Sequence, residues 1–254
     1  MTHERPEGAV KRAGAVLSVL AVGMAVTFMH PSNSFGDAAQ DAIEILNQRN
    51  IRYNDENYLD VIKRGDFENV QVFMQAGSDP NGTMRDGTPF IVYETAKGYV
   101  ETVKILLDAG VLVNVKNHKG WTALMFASMM GSKELVEMLL AKKADPDVQN
   151  NLGVTALHLA MQERHTLVVE MLLSAKADVH LKTESGTNAI MIAVETDQPE
   201  MINALTKHGY AGEMKVVRAR IRSELEAQNR EENERENERK MKLRQKLQAA
   251  RGTM

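Results

Sequence analysis

The strongest constraint on this chain is a glycine that returns every 33 residues. Gly87, Gly120, Gly153 and Gly186 each open a similar phrase, and the four phrases are GTPFIVYETAKG, GWTALMFASMMG, GVTALHLAMQER and GTNAIMIAVETD. A fixed period of this length is typical of repeat proteins, in which one unit cannot bury its apolar face alone and stability comes from stacking. The chain is therefore expected to fold as an array of similar units.

Each unit contains two helical patterns. Downstream of the four glycine phrases lie VETVKILLDAG, KELVEMLLAKKAD, TLVVEMLLSAKAD and PEMINALTKHG, whose apolar residues recur three and four positions apart. An upstream segment, NYLDVIKRGDFENVQVFMQAGSDPNG, fits as a further unit, with Gly65 in the slot that Gly98 and Gly131 hold later. These patterns predict an all-α solenoid of about five helix-turn-helix units, followed by a C-terminal helical extension.

Some residues within the repeats depart from the shared pattern. Arg164 and Asp197 replace the glycine between the two helices, so the turns of those units are expected to be built differently. Glu94 occupies the position of Ala127 and Ala160 in the next two units, which predicts a carboxylate near the layer between helices. Two interpretations remain open for Glu94: local adjustment or pairing with a nearby Lys or Arg, or a functional acid with a raised pKa.

The units resemble the ankyrin-repeat family. The segment GVTALHLA, residues 153–160, followed by LVVEMLLSAKADVH, is nearly the family pattern, and the resemblance covers residues 54–212. Residues 37–53 precede this stack, and their apolar residues Ile43, Ile45 and Leu46 predict a short capping helix that covers its first unit. Residues 213–254 are then a charged C-terminal extension. Its stretch from Glu226 to Lys240 is predicted to be either a solvated helix with i,i+4 ion pairs or a disordered tail.

The N-terminus has the layout of an export signal. Basic residues, Arg5, Lys11 and Arg12, precede an uncharged apolar run at residues 13–29, and Ser34 and Gly36 suit a cleavage site. Residues 1–36 are therefore predicted to be a signal peptide, with an uncleaved membrane anchor facing the periplasm as the alternative. Either interpretation predicts a periplasmic protein if the source is Gram-negative.

The family resemblance also implies where a partner binds. In ankyrin stacks the turn tips and the exposed side of the first helix line one concave face. The matching positions here are Arg85, Thr88, Lys97, His118, Lys119, Trp121, Met129, Met130, Asn151, Leu152, Val154, Gln162, Glu163, Glu184 and Thr187.

The middle of this set is apolar and its ends are polar. An apolar centre within a polar rim is the usual composition of a protein interface, and Trp is among the residues that most often dominate binding energy. Leu124 and Phe126 are expected in the core instead. The alternative is that Trp121 merely lies across its neighbours and Met129 packs under the next unit.

Several classes of function are disfavoured. The chain has no cysteine, so disulfides, thiolate zinc sites and a cysteine nucleophile are excluded, and a net charge of −3 gives no indication of nucleic-acid binding. The seven histidines show no metal-ligand spacing, and no nucleophile-elbow or phosphate-loop motif occurs. His158 falls in the slot of the family's structural histidine. We therefore predict a non-enzyme that needs no cofactor or metal and takes no small-molecule substrate.

The export signal, the repeats and the apolar strip together predict an exported module that sequesters or inhibits an envelope protein. In architecture the chain is similar to the periplasmic self-protection ankyrin proteins of predatory bacteria, which bind and block their own cell-wall-cleaving endopeptidases. That likeness implies a peptidoglycan endopeptidase as partner and an immunity role. The alternatives are a non-inhibitory scaffold or accessory factor for an envelope enzyme, and an effector that acts on host proteins.

Overall fold

The computed structural model describes residues 35–251, and the surroundings of side chains are defined for residues 36–242. The predicted export signal or anchor thus lies outside the described residues, apart from its last two positions. The described chain divides into two compact units, the first ending at Ala189 and the second beginning at Ile190. Between residues 35 and 251, no helix combines the length and the apolar character needed to cross a membrane.

The first unit is a two-layer stack of nine helices among its described residues. The helices are α1 (Phe35–Gln48), α2 (Asp55–Arg64), α3 (Phe67–Gln75), α4 (Phe90–Lys97), α5 (Val100–Asp108), α6 (Ala123–Met129), α7 (Lys133–Ala141), α8 (Ala156–Gln162) and α9 (Thr166–Ser174). Helices α2, α4, α6 and α8 pack side by side in one layer, and α3, α5, α7 and α9 form the other. Helix α1 packs against α3. The predicted all-α repeat solenoid is confirmed.

Hydroxyl side chains cap the starts of helices α6 and α7. Thr122 accepts a hydrogen bond from the backbone N–H of Met125 at the start of α6, and Ser132 accepts one from Leu135 at the start of α7. Such caps satisfy backbone donors that the helix itself leaves unpaired. Thr122 and its counterpart Thr155 therefore mark where α6 and α8 begin.

The turn between the two helices of a unit has the same backbone in every unit of the stack. Gly65, Gly98 and Gly131 have φ values of 64°, 76° and 69°, and Arg164 has φ 63° in the equivalent place. The expectation that the Arg164 turn is built differently is wrong. A non-glycine residue can adopt this left-handed conformation at a modest energetic cost, so the loss of glycine does not change the turn.

A ladder of side-chain hydrogen bonds repeats with the same period and joins successive units. Asn81 Oδ1 accepts from the N–H of Leu112 at 2.8 Å, and Asn114 Oδ1 accepts from Asp145 at 2.9 Å. Asp147 Oδ1 then accepts from the N–H of Asp178 at 2.7 Å. Each unit thus offers one acceptor to the unit that follows it.

Glu94 is buried in the stack with no ionic partner. Its side chain on α4 is 0% exposed, and neither carboxylate oxygen has a hydrogen-bond partner among the described residues. Burial raises the pKa of Glu94 to about 8, and the nearby Thr102 hydroxyl acts in the opposite direction without reaching hydrogen-bond geometry. The expected pairing with Lys or Arg does not occur, and the carboxyl cannot contact a partner protein.

The second unit consists of α10 (Ala189–Thr196), α11 (Pro199–Lys207) and the long α12 (Ala211–Arg251). Arg218 on α12 pairs with Asp197 at 2.7 Å. Further along, i,i+4 ion pairs such as Arg235–Glu231 and Lys240–Glu236 run along an exposed surface. Of the two interpretations of the charged stretch, the structure has the solvated helix.

Candidate protein-binding surface

Three hairpin turns of the first unit are built by the same hydrogen bonds. The N–H of Asn117 donates to Trp121 O at 3.0 Å, that of Asn150 to Val154 O at 3.0 Å, and that of Thr183 to Thr187 O at 3.0 Å. Side chains reinforce the turns: Asn117 Oδ1 accepts from the N–H groups of Lys119 and Trp121, each at 3.0 Å. The backbone at Trp121 is therefore fixed by its own turn.

The hairpins are also bonded to one another. The N–H of Asn151 donates to Lys119 O at 3.2 Å, and the Nδ2 of Asn151 donates to His118 O at 3.1 Å. The N–H of Glu184 donates in turn to Leu152 O at 3.0 Å. Because backbone and side-chain bonds link them in series, the three hairpins form one continuous hydrogen-bonded edge.

Gly120 allows this close approach. A Cβ atom at this position would lie 2.5 Å from Asn151 Oδ1 and 2.7 Å from the Asn151 backbone nitrogen. Gly120 is also in the left-handed region, with φ 78°. Two constraints, backbone conformation and space, thus require glycine here.

An aromatic pair lies at the centre of the surface. The rings of Trp121 and Phe126 are 4.8 Å apart between centroids and tilted by 37°, and both side chains are half-buried. The expectation that Phe126 belongs to the core is wrong, since its ring lies against Trp121 and stays partly open to solvent. Contacts of this geometry stabilise the pair beyond simple burial. Leu124 is buried, as expected.

The two methionines extend the apolar centre at the end of α6. Met130 is 38% exposed and Met129 is half-buried. The Met129 carbonyl accepts a hydrogen bond from His165 Nε2 at 3.0 Å, and the His165 ring lies against Gly131, where a Cβ would approach it to 2.4 Å. The next unit therefore holds the backbone of this helix end, while the methionine side chains remain adaptable.

Comparison with known families agrees with this geometry. A family model described as "Ankyrin repeats (3 copies)" matches residues 59–150 and 142–215. The chain belongs to the ankyrin-repeat family. A search of curated proteins gave no match. Ankyrin repeats are protein-protein interaction modules and are generally not enzymes, so the chain is an interaction module with protein partners.

The ankyrin repeats place most of the predicted site residues on the surface. The exposed members are Arg85, Lys97, His118, Lys119, Met130, Asn151, Leu152, Gln162, Glu163 and Glu184, and the half-buried members are Trp121, Met129, Val154 and Thr187. Thr88 is the exception, because its side chain is only 8% exposed. Its N–H donates to Asp86 Oδ1 at 2.9 Å and its carbonyl accepts from Met84, so the residue is turned into the hairpin.

His158 has a structural role in the third repeat. The ring is 1% exposed, and its Nδ1 atom accepts from the N–H of Thr155 at 3.2 Å in a capping box at the start of α8. Burial lowers the pKa of His158, while the backbone of Thr187 and Leu181 favours the charged form. A neutral, enclosed imidazole that caps its own helix is poorly placed for chemistry on a substrate.

The rest of the stack offers little for catalysis. Within residues 35–251 no group of three His, Asp or Glu side chains is arranged to hold a metal ion. A groove of about 420 Å³ between α7 and α9 is lined by Lys133, Glu137, Leu140, Leu167, Glu170, Met171 and Ser174. Its hydroxyl group, Ser174 Oγ, donates to the Glu170 carbonyl at 2.7 Å. The surface around Trp121 therefore remains the better candidate site.

Proposed function

We propose that this ankyrin-repeat protein is an exported binding module that inhibits or sequesters an envelope protein, with a peptidoglycan endopeptidase as the target class. The observation that carries the proposal is the exposed apolar strip. This strip consists of Trp121, Phe126, Met129, Met130 and Leu152. Met130 and Leu152 are exposed and the other three are half-buried, and the strip spans α6 and two bonded hairpins within a polar rim.

The physical composition of the strip favours a protein partner. A monomeric protein seldom exposes an aromatic pair next to methionine and leucine without a binding role. Leu152 is 58% exposed at a hairpin tip although the turn itself tolerates polar residues, as Ser185 shows at the equivalent position. Prior ordering of the backbone lowers the entropic cost of association, so such a surface suits tight binding.

The exported location and the inhibitory role rest on the sequence. The basic start and the apolar run at residues 13–29 support export to the periplasm, with retention as a membrane anchor as the alternative. The endopeptidase target and the immunity role follow from the likeness to self-protection ankyrin proteins. An accessory factor and a host-directed effector remain as competing functions, which the experiment separates.

The test is capture of partners from an envelope extract with the full chain, tagged at its C-terminus. The native protein is compared with a Trp121→Ala, Met129→Ala double variant and with the control Leu167→Ala. The Leu167 side chain is 64% exposed on α9, in the layer formed by α3, α5, α7 and α9. We expect a cell-wall hydrolase to bind the native protein and the control. The double variant should lose it, because truncating a central Trp typically costs about 2–4 kcal/mol of binding.

The captured enzyme is then assayed on peptidoglycan with and without the protein. Loss of endopeptidase activity supports inhibition, while unchanged or increased activity supports the accessory role and contradicts inhibition. Partners that bind all three proteins equally would show that the strip around Trp121 is not the binding site. Secretion into the culture medium, instead of retention in the cell envelope, would favour the host-directed effector.

A further inference from the structure

The charged side chains of the candidate surface are segregated by sign along the stack. The first and second glycine-containing repeats contribute Arg85, Asp86, Lys97, His118 and Lys119, which amount to one positive charge per repeat with His neutral. All five are exposed. This end of the surface is therefore cationic.

The acidic member of the cationic end, Asp86, is exposed and is hydrogen-bonded within its own turn. The Asp86 carboxylate accepts hydrogen bonds from the N–H of Thr88, and these bonds lower the pKa of Asp86. Lys97 instead stands over the Tyr93 ring at 5.5 Å from its centroid, beside the apolar strip. Lys119 at the hairpin tip forms no ion pair among the described residues. Arg85 forms an exposed ion pair with Glu56 at 3.9 Å, so Lys97 and Lys119 are the positive charges available to a partner.

The opposite end of the surface is anionic. The third repeat contributes Glu163 after α8, and the fourth contributes Glu184 at a hairpin tip. Both side chains are exposed, and neither forms an ion pair within the part of the chain that the structure describes. The backbone of Glu184 is fixed by its bond to Leu152 O, which holds this charge next to the apolar strip.

The two ends are far enough apart to act independently. Neighbouring helices in a layer are about 8–10 Å apart, so the hairpin that carries Arg85 and the hairpin that carries Glu184, three periods later, are separated by roughly 25–30 Å. This exceeds the Debye length of about 8 Å at physiological ionic strength, so charges at the two outermost hairpins do not neutralise each other. A partner therefore meets a positive patch, an apolar centre and a negative patch in that order.

We infer that the partner of this surface carries the complementary order: acidic groups facing the first two repeats, a large apolar side chain on the Trp121–Phe126 pair, and basic groups facing the third and fourth repeats. This inference rests on the proposed binding role of the surface and adds the chemistry of the bound segment. Complementary charges of this kind mainly set the direction and register of binding and reject partners of the wrong polarity.

The experiment selects ligands from a displayed library of random peptides about 12 residues long, which can extend to roughly 40 Å. The immobilised proteins are the full native chain, Trp121→Ala, the pair Lys97→Glu and Lys119→Glu, and the pair Glu163→Lys and Glu184→Lys. The control is Lys104→Glu with Glu137→Lys, two exposed positions on α5 and α7. Circular dichroism verifies that each variant keeps its helical content.

Peptides selected on the native protein should depend on Trp121 and carry acidic residues at one end and basic residues at the other. Each charge-reversed pair at the surface should lower the binding affinity of these peptides by about tenfold or more, since like charges then face each other. The control should bind them as the native protein does. A variant with both pairs reversed should recover binding to a synthetic peptide whose charges are exchanged.

The outcomes distinguish this inference from the proposed function. Trp121-dependent peptides without a charge bias, or peptides indifferent to both charge reversals, overturn the segregated-charge inference and leave the binding role intact. No enrichment over the bare support, or peptides that bind Trp121→Ala as well as the native protein, contradict the proposed binding site and the inference together.

Discussion

At the scale of single residues, Glu94 is the side chain least compatible with its surroundings. The next two repeats use Ala127 and Ala160 at this position, and both are 0% exposed. A carboxyl group of the same burial must either ionise without compensation or keep its proton. It keeps its proton over much of the neutral range, so it introduces a pH dependence that its alanine counterparts lack.

The stability of the first unit should therefore fall as the pH rises from 5 to 8. The pKa of Glu94 is about 8 in the folded protein and near its ordinary value of 4.5 in the unfolded chain, so unfolding releases a proton between these values. The free energy of unfolding then decreases by up to about 1.4 kcal/mol per pH unit. Denaturant unfolding at several pH values measures this slope.

The variant Glu94→Gln is the matched control, because it keeps the shape and removes the ionisation. Its unfolding free energy should change little across the same pH range and should exceed that of the native protein at pH 8. Glu94→Ala, which restores the residue of the neighbouring repeats, gives a second test. Parallel pH slopes for the native protein and both variants would show that another group is responsible.

At this scale, the sequence predicted the burial of a side chain correctly where its position in the repeat determines burial. The prediction failed where local contacts determine burial. The repeat register placed Leu124 in the core correctly. It misplaced Phe126, whose ring is half-buried against Trp121. Trp121 precedes α6, so the helical spacing of apolar residues gives no sign of this contact. It misplaced Thr88 because the hydrogen bonds of a turn decide which way the residue faces.

At the scale of elements, the hairpins differ in how tightly they approach one another. Gly87 and Gly120 have nearly identical φ values of 79° and 78°. A Cβ at Gly87 would meet nothing within 4 Å, whereas one at Gly120 would collide with Asn151. The sequence period predicted both turns but could not show this difference, because the distance depends on how the following repeat packs.

Gly120→Ala should therefore be more harmful than Gly87→Ala. Both substitutions place alanine in a left-handed conformation, which costs about 1–2 kcal/mol, and only Gly120→Ala adds a collision that separates two hairpins. We expect a larger loss of unfolding free energy and a larger loss of partner binding for Gly120→Ala. Equal effects in urea unfolding would mean that the contact with Asn151 relaxes without cost.

The outer part of α12 is a second element whose stability is open to a direct test. Beyond Leu225 its side chains up to residue 242 are exposed, and ion pairs four residues apart are its visible support. Each such pair contributes about 0.3–0.5 kcal/mol and is weakened by salt. Sequence alone left a helix and a disordered tail as alternatives, because such small contributions decide between them.

Raising the salt concentration should reduce the helical signal of the full chain without unfolding the repeats. The expected change is a partial loss of circular dichroism at 222 nm between about 0.01 M and 1 M NaCl, where the Debye length falls from roughly 30 Å to 3 Å. A chain truncated after Leu225 is the control and should show no such change. Equal salt responses of the two proteins would contradict support by ion pairs.

At the scale of the whole molecule, the first unit behaves as a stack whose stability comes from contacts between neighbours. Helix α1 lies against α3, with Leu46 0% exposed and Ala42 2% exposed. Terminal elements of a repeat array shield the last apolar layer from water, and the array is weakened when that cover is lost. The sequence predicted a helix here, but the layer that it covers became clear only from the structure.

Leu46→Ala should destabilise the stack by about 2–5 kcal/mol, because it removes buried methyl groups and leaves a cavity. Ile45→Ala is the matched control, since Ile45 is adjacent on the same helix and 38% exposed. Thermal unfolding of both variants beside the native protein measures the difference. Equal melting temperatures for the two variants would show that α1 does not stabilise the stack through Leu46.

The ladder formed by Asn81, Asn114 and Asp147 has a consequence for how such a protein can change over generations. The units of Asn114 and Asp147 each contribute an acceptor to the next unit, and through Leu112 and Asp145 they also supply the backbone donor that the previous unit requires. A tandem duplication of one period within this region would therefore insert a segment already compatible on both sides. The chain can gain or lose length in whole periods, and each gain adds a new hairpin tip whose side chains selection is free to alter.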